Sequence, residues 1–248
     1  MVDRIGLFFD YDGVLAPIVS TPDGGDPDLR LMETLRKLMN KYKVAVVSGR
    51  DCWFLLKRVP DLHGYACVYG MEILAGNYAV VDKNVYLGVK SKTLEDLASK
   101  FVTLLNGRVG VIVGKTLQGI PLGISVYWSL SDGMPKELNA ILEEARASGL
   151  VVYPVMRWGD YAEFTDIHVS RRSKDEAIRV LKTLLGISKV IYFGDSSNDI
   201  PAFREADVRV LVRHEYNSGL RVEADHVVNA AELAEWLLQQ VPHLEHRV

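Results

Sequence analysis

The chain has 248 residues, 48% of them hydrophobic, enough to bury a large core in one big domain or two modest ones and to exclude general disorder. Its 29 basic and 32 acidic residues leave a net charge of −3, so no overall excess points to nucleic acid or an anionic membrane surface. Only Cys52 and Cys67 are present, neither in a CxxC pair, so neither a disulfide framework nor a zinc site is suggested and a reducing cytoplasm is the simple reading.

The opening run, MVDRIGLFFDYDG, is too short in apolar residues for a signal peptide, and no later run approaches the roughly 18 that span a bilayer, so a soluble, cytoplasmic protein is expected. RIGLFFD (4–10) reads as a strand. Asp26 and Pro27 can cap and start a helix that carries Leu31, Leu35, Leu38 and Tyr42 at helical spacing. KVAVVSG (43–49) and ACVYGM (66–71) read as further strands, and MEILAGNYAVVD (71–82) as a hairpin turning at Gly76 and Asn77. A helix at 91–105, strands at 109–114 and 120–128, a helix at 134–149 and strands at 150–156 and 161–169 follow. Ser173 and Glu176 then form a capping-box pattern ahead of Ala177, Ile178, Leu181 and Leu185, with Gly186 placed to stop that helix and Lys174 in its first turn. KVIYFGD (189–195) and VRVLVR (208–213) are the last strands.

Strands alternating with helices at both ends of the chain predict an α/β fold, a Rossmann-like, mostly parallel sheet covered on both faces. The middle breaks that rhythm with helix, two strands, helix, two strands. It reads as a smaller α/β cap inserted at 84–165 into a core built from 1–83 and 166–248.

In an open α/β sheet, ligands bind beyond the carboxyl ends of the strands. Asp10 and Asp12 after the first strand, Ser48 after the second and Asp195 after KVIYFGD would share one such mouth. Any one aspartate alone reads more readily as the cap of a helix or turn. Three together repel one another and call for a cation, and oxygen donors without His or Cys favour a hard ion, Mg2+.

DYDGVL (10–15) resembles the DxDGTL signature of haloacid dehalogenase-like phosphatases, with Val14 in place of threonine. VVSGR (46–50) resembles their second motif, Lys174 stands where the third-motif lysine is expected, and GDSSND (194–199) resembles the fourth. The resemblance implies Asp10 as the nucleophile that forms an aspartyl-phosphate, Asp12 as acid and base, and Mg2+ held by Asp10, the Asp12 carbonyl and Asp195. It implies that Ser48, Gly49, Arg50 and Lys174 bind the substrate's phosphoryl end, that the Val14 N–H can still donate there, and that Asn198 and Asp199 orient Lys174 or a metal-bound water.

A closer resemblance is to the trehalose-6-phosphate phosphatases, carried by DYDGVLAPIVSTPDGGDPD, VAVVSGRD and YGMEI (69–73), in which Tyr69 replaces a histidine. It implies a hydrolase of trehalose biosynthesis whose small-molecule partner is a phosphorylated sugar, selected by the cap, with neither nucleic acid nor membrane as partner and the oligomeric state left open. AEFTDIHVSRRSKDEA departs from that family's pattern and offers Glu163 or Asp166 where a glutamate is expected, so Glu163, with Lys115, Trp128 and Arg157, is a cap candidate for the sugar. Alternatives are a phosphatase of sucrose phosphate, mannosyl-3-phosphoglycerate or a hexose phosphate, a catalytically weak sugar-phosphate-binding protein, a phosphomutase, or a receiver-like signalling domain.

Overall fold

The structure, a computed structural model, describes residues 4–21, 23–86 and 88–244; the second proline of the opening motif, Pro22, lies outside them. The chain begins β1 (Ile5–Phe9), α1 (Leu29–Leu38), β2 (Lys43–Val47), α2 (Cys52–Arg58), β3 (Gly64–Cys67), β4 (Glu72–Ala75) and β5 (Tyr78–Val81). It continues through α3 (Lys83–Tyr86), α4 (Val89–Leu105), β6 (Gly110–Lys115), β7 (Pro121–Ser129), α5 (Lys136–Ala147), β8 (Val151–Val152), β9 (Met156–Trp158) and β10 (Ala162–His168). It returns as α6 (Lys174–Leu185), β11 (Lys189–Gly194), α7 (Ile200–Glu205), β12 (Val208–Arg213), β13 (His226–Asn229) and α8 (Leu233–Leu244).

All five residues of β1 are buried, as a strand covered on both faces requires. It lies between β11 and β2 in an eight-stranded sheet ordered β13-β12-β11-β1-β2-β3-β4-β5, parallel from β13 to β3 and antiparallel beyond. Alternation sends Leu7 and Phe9 into one core with Leu31 and Leu35 of α1 and Leu237 and Val241 of α8. Phe8 points the other way, into a core with Ala177, Ile178 and Leu181 of α6 and Phe203 of α7. The expected Rossmann-like parallel sheet is therefore present.

A second, antiparallel sheet holds β6-β7-β10-β8, with β9 also paired to β10. Leu122, Ile124 and Val126 of β7 turn one of its faces onto Leu94, Leu97 and Phe101 of α4 and Leu138 and Ile141 of α5. The opposite face looks toward the carboxyl edge of the large sheet.

Several local expectations change. The cap of α1 is Asp28, whose Oδ1 accepts the N–H groups of Arg30 and Leu31 at 2.7 and 3.2 Å, and not Asp26. Ser173 precedes α6, but its hydroxyl turns to Asp175 while Glu176 pairs with Arg172, so the capping box is not made. The strand expected at 66–71 stops at Cys67, because Val68–Gly70 coils into a 3-10 turn with Tyr69 at φ 56°. The insertion boundary drawn at 165/166 falls inside β10, which pairs with β7 from Ala162 to His168, and we place the return to the large sheet after His168. Cys52 and Cys67, expected unpaired, form a disulfide with Cα atoms 5.3 Å apart: α2 and β3 pack together and bring the start of one to the end of the other. No helix among the described residues is long and apolar enough to cross a membrane.

Candidate active site

Because β2, β1 and β11 are adjacent and parallel, their carboxyl ends open on one edge. Asp10, Ser48 and Asp195 follow those strands, are buried, and line one cavity. Lys174, first residue of α6, enters it, its Nζ donating to Asp10 Oδ2 at 2.5 Å and to Asp199 Oδ1 at 2.7 Å. The lysine is 2% exposed. Burial alone would discharge it, and the attraction of Asp10 and Asp199 more than reverses that, raising its pKa.

The three neighbouring carboxylates are not equivalent. Asp199 is saturated: Oδ1 also accepts the Tyr192 hydroxyl at 2.7 Å, and Oδ2 accepts the Asp195 and Ser196 N–H groups at 2.9 and 3.0 Å. Burial works to raise its pKa, but Lys174 and these donors hold it below the ordinary carboxylate value. Burial raises Asp10 well above that value against the pull of Lys174, and burial with the Asp199 charge does the same to Asp195. Asp10 Oδ1 accepts the Tyr11 N–H at 2.7 Å. Asp195 Oδ2 lies 2.9 Å from His214 Nε2, whereas its Oδ1 is buried and has no partner among the described residues.

Asp10, Asp195 and Asp199 offer oxygens within 4.8 Å of one another. Among the described residues each Asp199 oxygen already accepts at least two donors, whereas each Asp10 oxygen accepts one and Asp195 Oδ1 none, so Asp10 and Asp195 are the side chains with lone pairs to spare for a cation. The partnerless Oδ1 fits one: a buried carboxylate oxygen without a donor is costly unless a positive charge reaches it. A donor set of oxygens suits a hard ion such as Mg2+.

The remaining expected residues divide. Asp12 lines the cavity, and Arg50 grips both its oxygens, Nε to Oδ2 at 2.8 Å and Nη2 to Oδ1 at 3.0 Å, so its side chain faces a cation of the protein's own. Ser48 Oγ accepts the Arg50 N–H at 3.2 Å, and Gly49 also lines the cavity. Asn198 lines it too, but its amide donates to Met156 Sδ at 3.4 Å, so of the expected pair only Asp199 is seen to bond Lys174. The Val14 N–H, expected to donate to phosphate, turns instead to the Tyr11 carbonyl at 3.3 Å.

The second sheet supplies the opposite wall. Gly123, Ser125 and Tyr127 of β7 and Phe164, Asp166 and His168 of β10 face the cavity at alternate positions. Glu163 lies on the other face of β10 and accepts the Trp128 Nε1–H at 3.0 Å. Neither it, Trp128 nor Lys115 is among the described lining residues, whereas Arg157 is. Asp166 takes the place weighed for Glu163, because an odd separation in a strand reverses the side chain. Ser125 Oγ donates to Asp166 Oδ1 at 2.5 Å and the Tyr69 hydroxyl to Oδ2 at 3.4 Å. Burial nonetheless pushes the Asp166 carboxyl up to about 6. His168, buried beside Tyr69 and Tyr153, is pushed down to about 3 by burial and is neutral, and its Nδ1 has no partner among the described residues. Gly123 makes room for it: a Cβ there would lie 2.4 Å from His168 Cδ2. Tyr127 and Phe164 stack at 5.0 Å with Trp158 set edge-on to both, an aromatic patch that sequence alternation at 123–127 and 164–168 could have revealed. The site thus joins a cation-seeking, lysine-braced carboxylate pair to a wall of rings and hydrogen-bonding side chains.

Residues 8–85 match the family model for trehalose-phosphatase. A probable trehalose-phosphate phosphatase of Oryza sativa subsp. japonica is 27% identical over 225 residues, covering 81% of this chain, which spans 59% of that relative's length. Among solved structures, a trehalose-6-phosphate phosphatase related protein superposes with a TM-score of 0.73 at 22% identity, covering 98% of this chain and 99% of that one. A sugar phosphatase of the haloacid dehalogenase subclass IIB does so with a TM-score of 0.64 at 16% identity, covering 95% and 98%. The chain thus shares the fold of these solved structures, a sugar phosphatase of the haloacid dehalogenase subclass IIB among them, and resembles the trehalose-phosphatases over residues 8–85.

Proposed function

We propose that the protein is a Mg2+-dependent phosphatase of a phosphorylated sugar, with trehalose 6-phosphate the first substrate to try. One observation carries the reading: Lys174, buried and charged, braces Asp10 at the mouth of a parallel sheet, 2.5 Å away, beside an Asp195 whose inner oxygen lacks a partner. A purely structural ion pair would not account for a buried carboxylate oxygen left without a partner.

In this reading Asp10 attacks phosphorus, the bond to the sugar oxygen breaks, and the phosphoryl group rests on Asp10 as an acyl phosphate. A protonated Asp12 gives its proton to the departing sugar oxygen, then takes one from the water that attacks phosphorus and frees Asp10. Arg50, which forks both Asp12 oxygens, would have to release one of them for that proton to be carried. Lys174 keeps the Asp10 carboxylate aimed and offsets charge on the phosphoryl oxygens, which Ser48 and Gly49 also meet. Mg2+, held by Asp10 and Asp195 with the Asp12 carbonyl, would supply positive charge between a dianionic phosphate and an anionic nucleophile.

The sugar would lie on Tyr127, Trp158 and Phe164, its hydroxyls meeting Asp166, His168 and Arg157. The cavity holds about 240 Å3, small beside the roughly 300–1,000 Å3 usual for larger ligands. A disaccharide phosphate therefore calls for the two sheets to part, whereas a hexose phosphate asks for less. The grip of Arg50 on Asp12 favours a second reading, a protein that binds sugar phosphate and turns it over poorly.

The test is phosphate release with Mg2+ over trehalose 6-phosphate, sucrose 6-phosphate, mannosyl-3-phosphoglycerate and hexose phosphates. Release from one of them with a clear preference supports the first reading. Tight binding without release supports the second.

A further inference from the structure

His214 follows β12 and caps the 3-10 turn Glu215–Asn217. Its ring Nδ1 accepts the Tyr216 N–H at 3.2 Å, while its own N–H donates to Asn217 Oδ1 at 3.0 Å. A main-chain N–H can only donate, so Nδ1 must be bare and the ring proton sits on Nε2. Nε2 lies 2.9 Å from Asp195 Oδ2. The same turn grips the main chain of that aspartate, since Asn217 Nδ2 donates to the Asp195 carbonyl at 2.8 Å. Gly13, at φ +82°, closes the remaining side: a Cβ there would stand 2.4 Å from Asp195 Oδ2 and 3.0 Å from His214 Nε2.

We propose that His214 is a positioning residue for the cation: fixed as the Nε2–H tautomer by the Tyr216 N–H, it pins Asp195 Oδ2 and presents Oδ1 to the space shared with Asp10. The proposal rests on the cation-dependent reading above. Rotation of the Asp195 carboxylate would break the histidine bond, so the partnerless Oδ1 is held where it stands. The turn thereby acts on the site without touching substrate, as a partner that orients a metal ligand does.

The test is direct binding of Mn2+ and Mg2+, by electron paramagnetic resonance and calorimetry, to the full chain, to His214→Ala and to His214→Gln. The glutamine amide can restore the donor. We expect His214→Ala to weaken both cations by about 10- to 100-fold, His214→Gln to recover most of the loss, and KM at saturating cation to stay within about twofold. Nitrogen NMR of the unloaded wild-type protein should show a bare Nδ1 and a protonated Nε2, a readout that needs neither cation nor variant. Equal cation affinity in all three proteins, or a protonated Nδ1, would overturn the proposal while leaving the phosphatase reading intact. A wild-type chain that binds neither cation would overturn the proposal and the cation dependence it rests on, and phosphate release would then decide whether the chain is a phosphatase at all.

Discussion

Arg50 holds both carboxylate oxygens of Asp12, at 2.8 and 3.0 Å, and the pair is mostly shielded from water, at 10% and 17% side-chain exposure. Arg50 also stacks on Phe54 and Trp158, with its guanidinium carbon 4.7 and 5.2 Å from the ring centres, so it ties the wall of the second sheet to the aspartate loop of the first.

Removing that fork strands Asp12 in a half-closed site. Arg50→Met is expected to lose about 1–3 kcal/mol of stability, less than the 3–5 of a fully buried pair because water reaches the edge. Arg50→Lys should recover under half of it, since a point charge cannot make the fork. Urea unfolding measures both, and an Arg50→Lys protein as stable as wild type would show that charge alone matters.

Lys174 is the sole cation bonded to two carboxylates among the described buried residues. Lys174→Met leaves Asp10 and Asp199 facing each other uncompensated and is expected to cost about 3–5 kcal/mol. Much of that loss should return in Lys174→Met with Asp199→Asn, because the double change removes the buried charge while the amide can still meet the surrounding hydrogen-bonding groups. Thermal or urea unfolding of the single and double variants reads the difference, and strictly additive losses would contradict it.

Asp166 provides a pH test outside the lysine cluster. Its folded pKa of about 6 stands above the unfolded value of 3.8, so the folded state holds a proton that the unfolded state releases between those limits. Stability from this group is therefore full below about pH 4 and declines as pH rises toward 6, by about 3 kcal/mol in all. Asp166→Asn, which carries no such charge, should gain on wild type by that order between pH 4 and pH 7.5. Unfolding curves at the two values check it, and an equal difference at both would refute the assignment.

A divalent cation that binds only the folded state should raise stability by about 2.7 kcal/mol at a hundred times its Kd. Calorimetric melting with and without Mg2+ measures this. Asp195→Asn should abolish the shift, because it removes the negative charge of a carboxylate placed to hold the cation.

Much of this was legible in the chain because β1 and β11 are apolar runs that stop at Asp10 and Asp195, and a parallel sheet brings such stops to one edge. Lys174 was legible through its place ahead of Ala177, Ile178 and Leu181. Glu163 and Asp166 could not be separated, since choosing between them depends on which face of β10 meets the large sheet, and nothing local encodes that. Arg50 was read as a ligand for substrate, and its hold on Asp12, 38 residues away, is a product of packing. β13, α8 and the cysteine pair were missed for the same reason: short or half-buried segments reveal themselves only against their neighbours. His214 had no motif to announce it, and the tautomer that matters is set by the main chain of Tyr216.

The central claim is that Asp10 is the nucleophile of a phosphatase. Acid-quenched single turnovers with Mg2+ and a radiolabelled sugar phosphate, drawn from the panel as the compound most rapidly hydrolysed, test it most directly. The account predicts transient label on the protein, mapped to Asp10, with turnover lowered about a thousandfold or more in a folded Asp10→Asn variant. Wild-type turnover by Asp10→Asn, or full turnover with label never on Asp10, would contradict it.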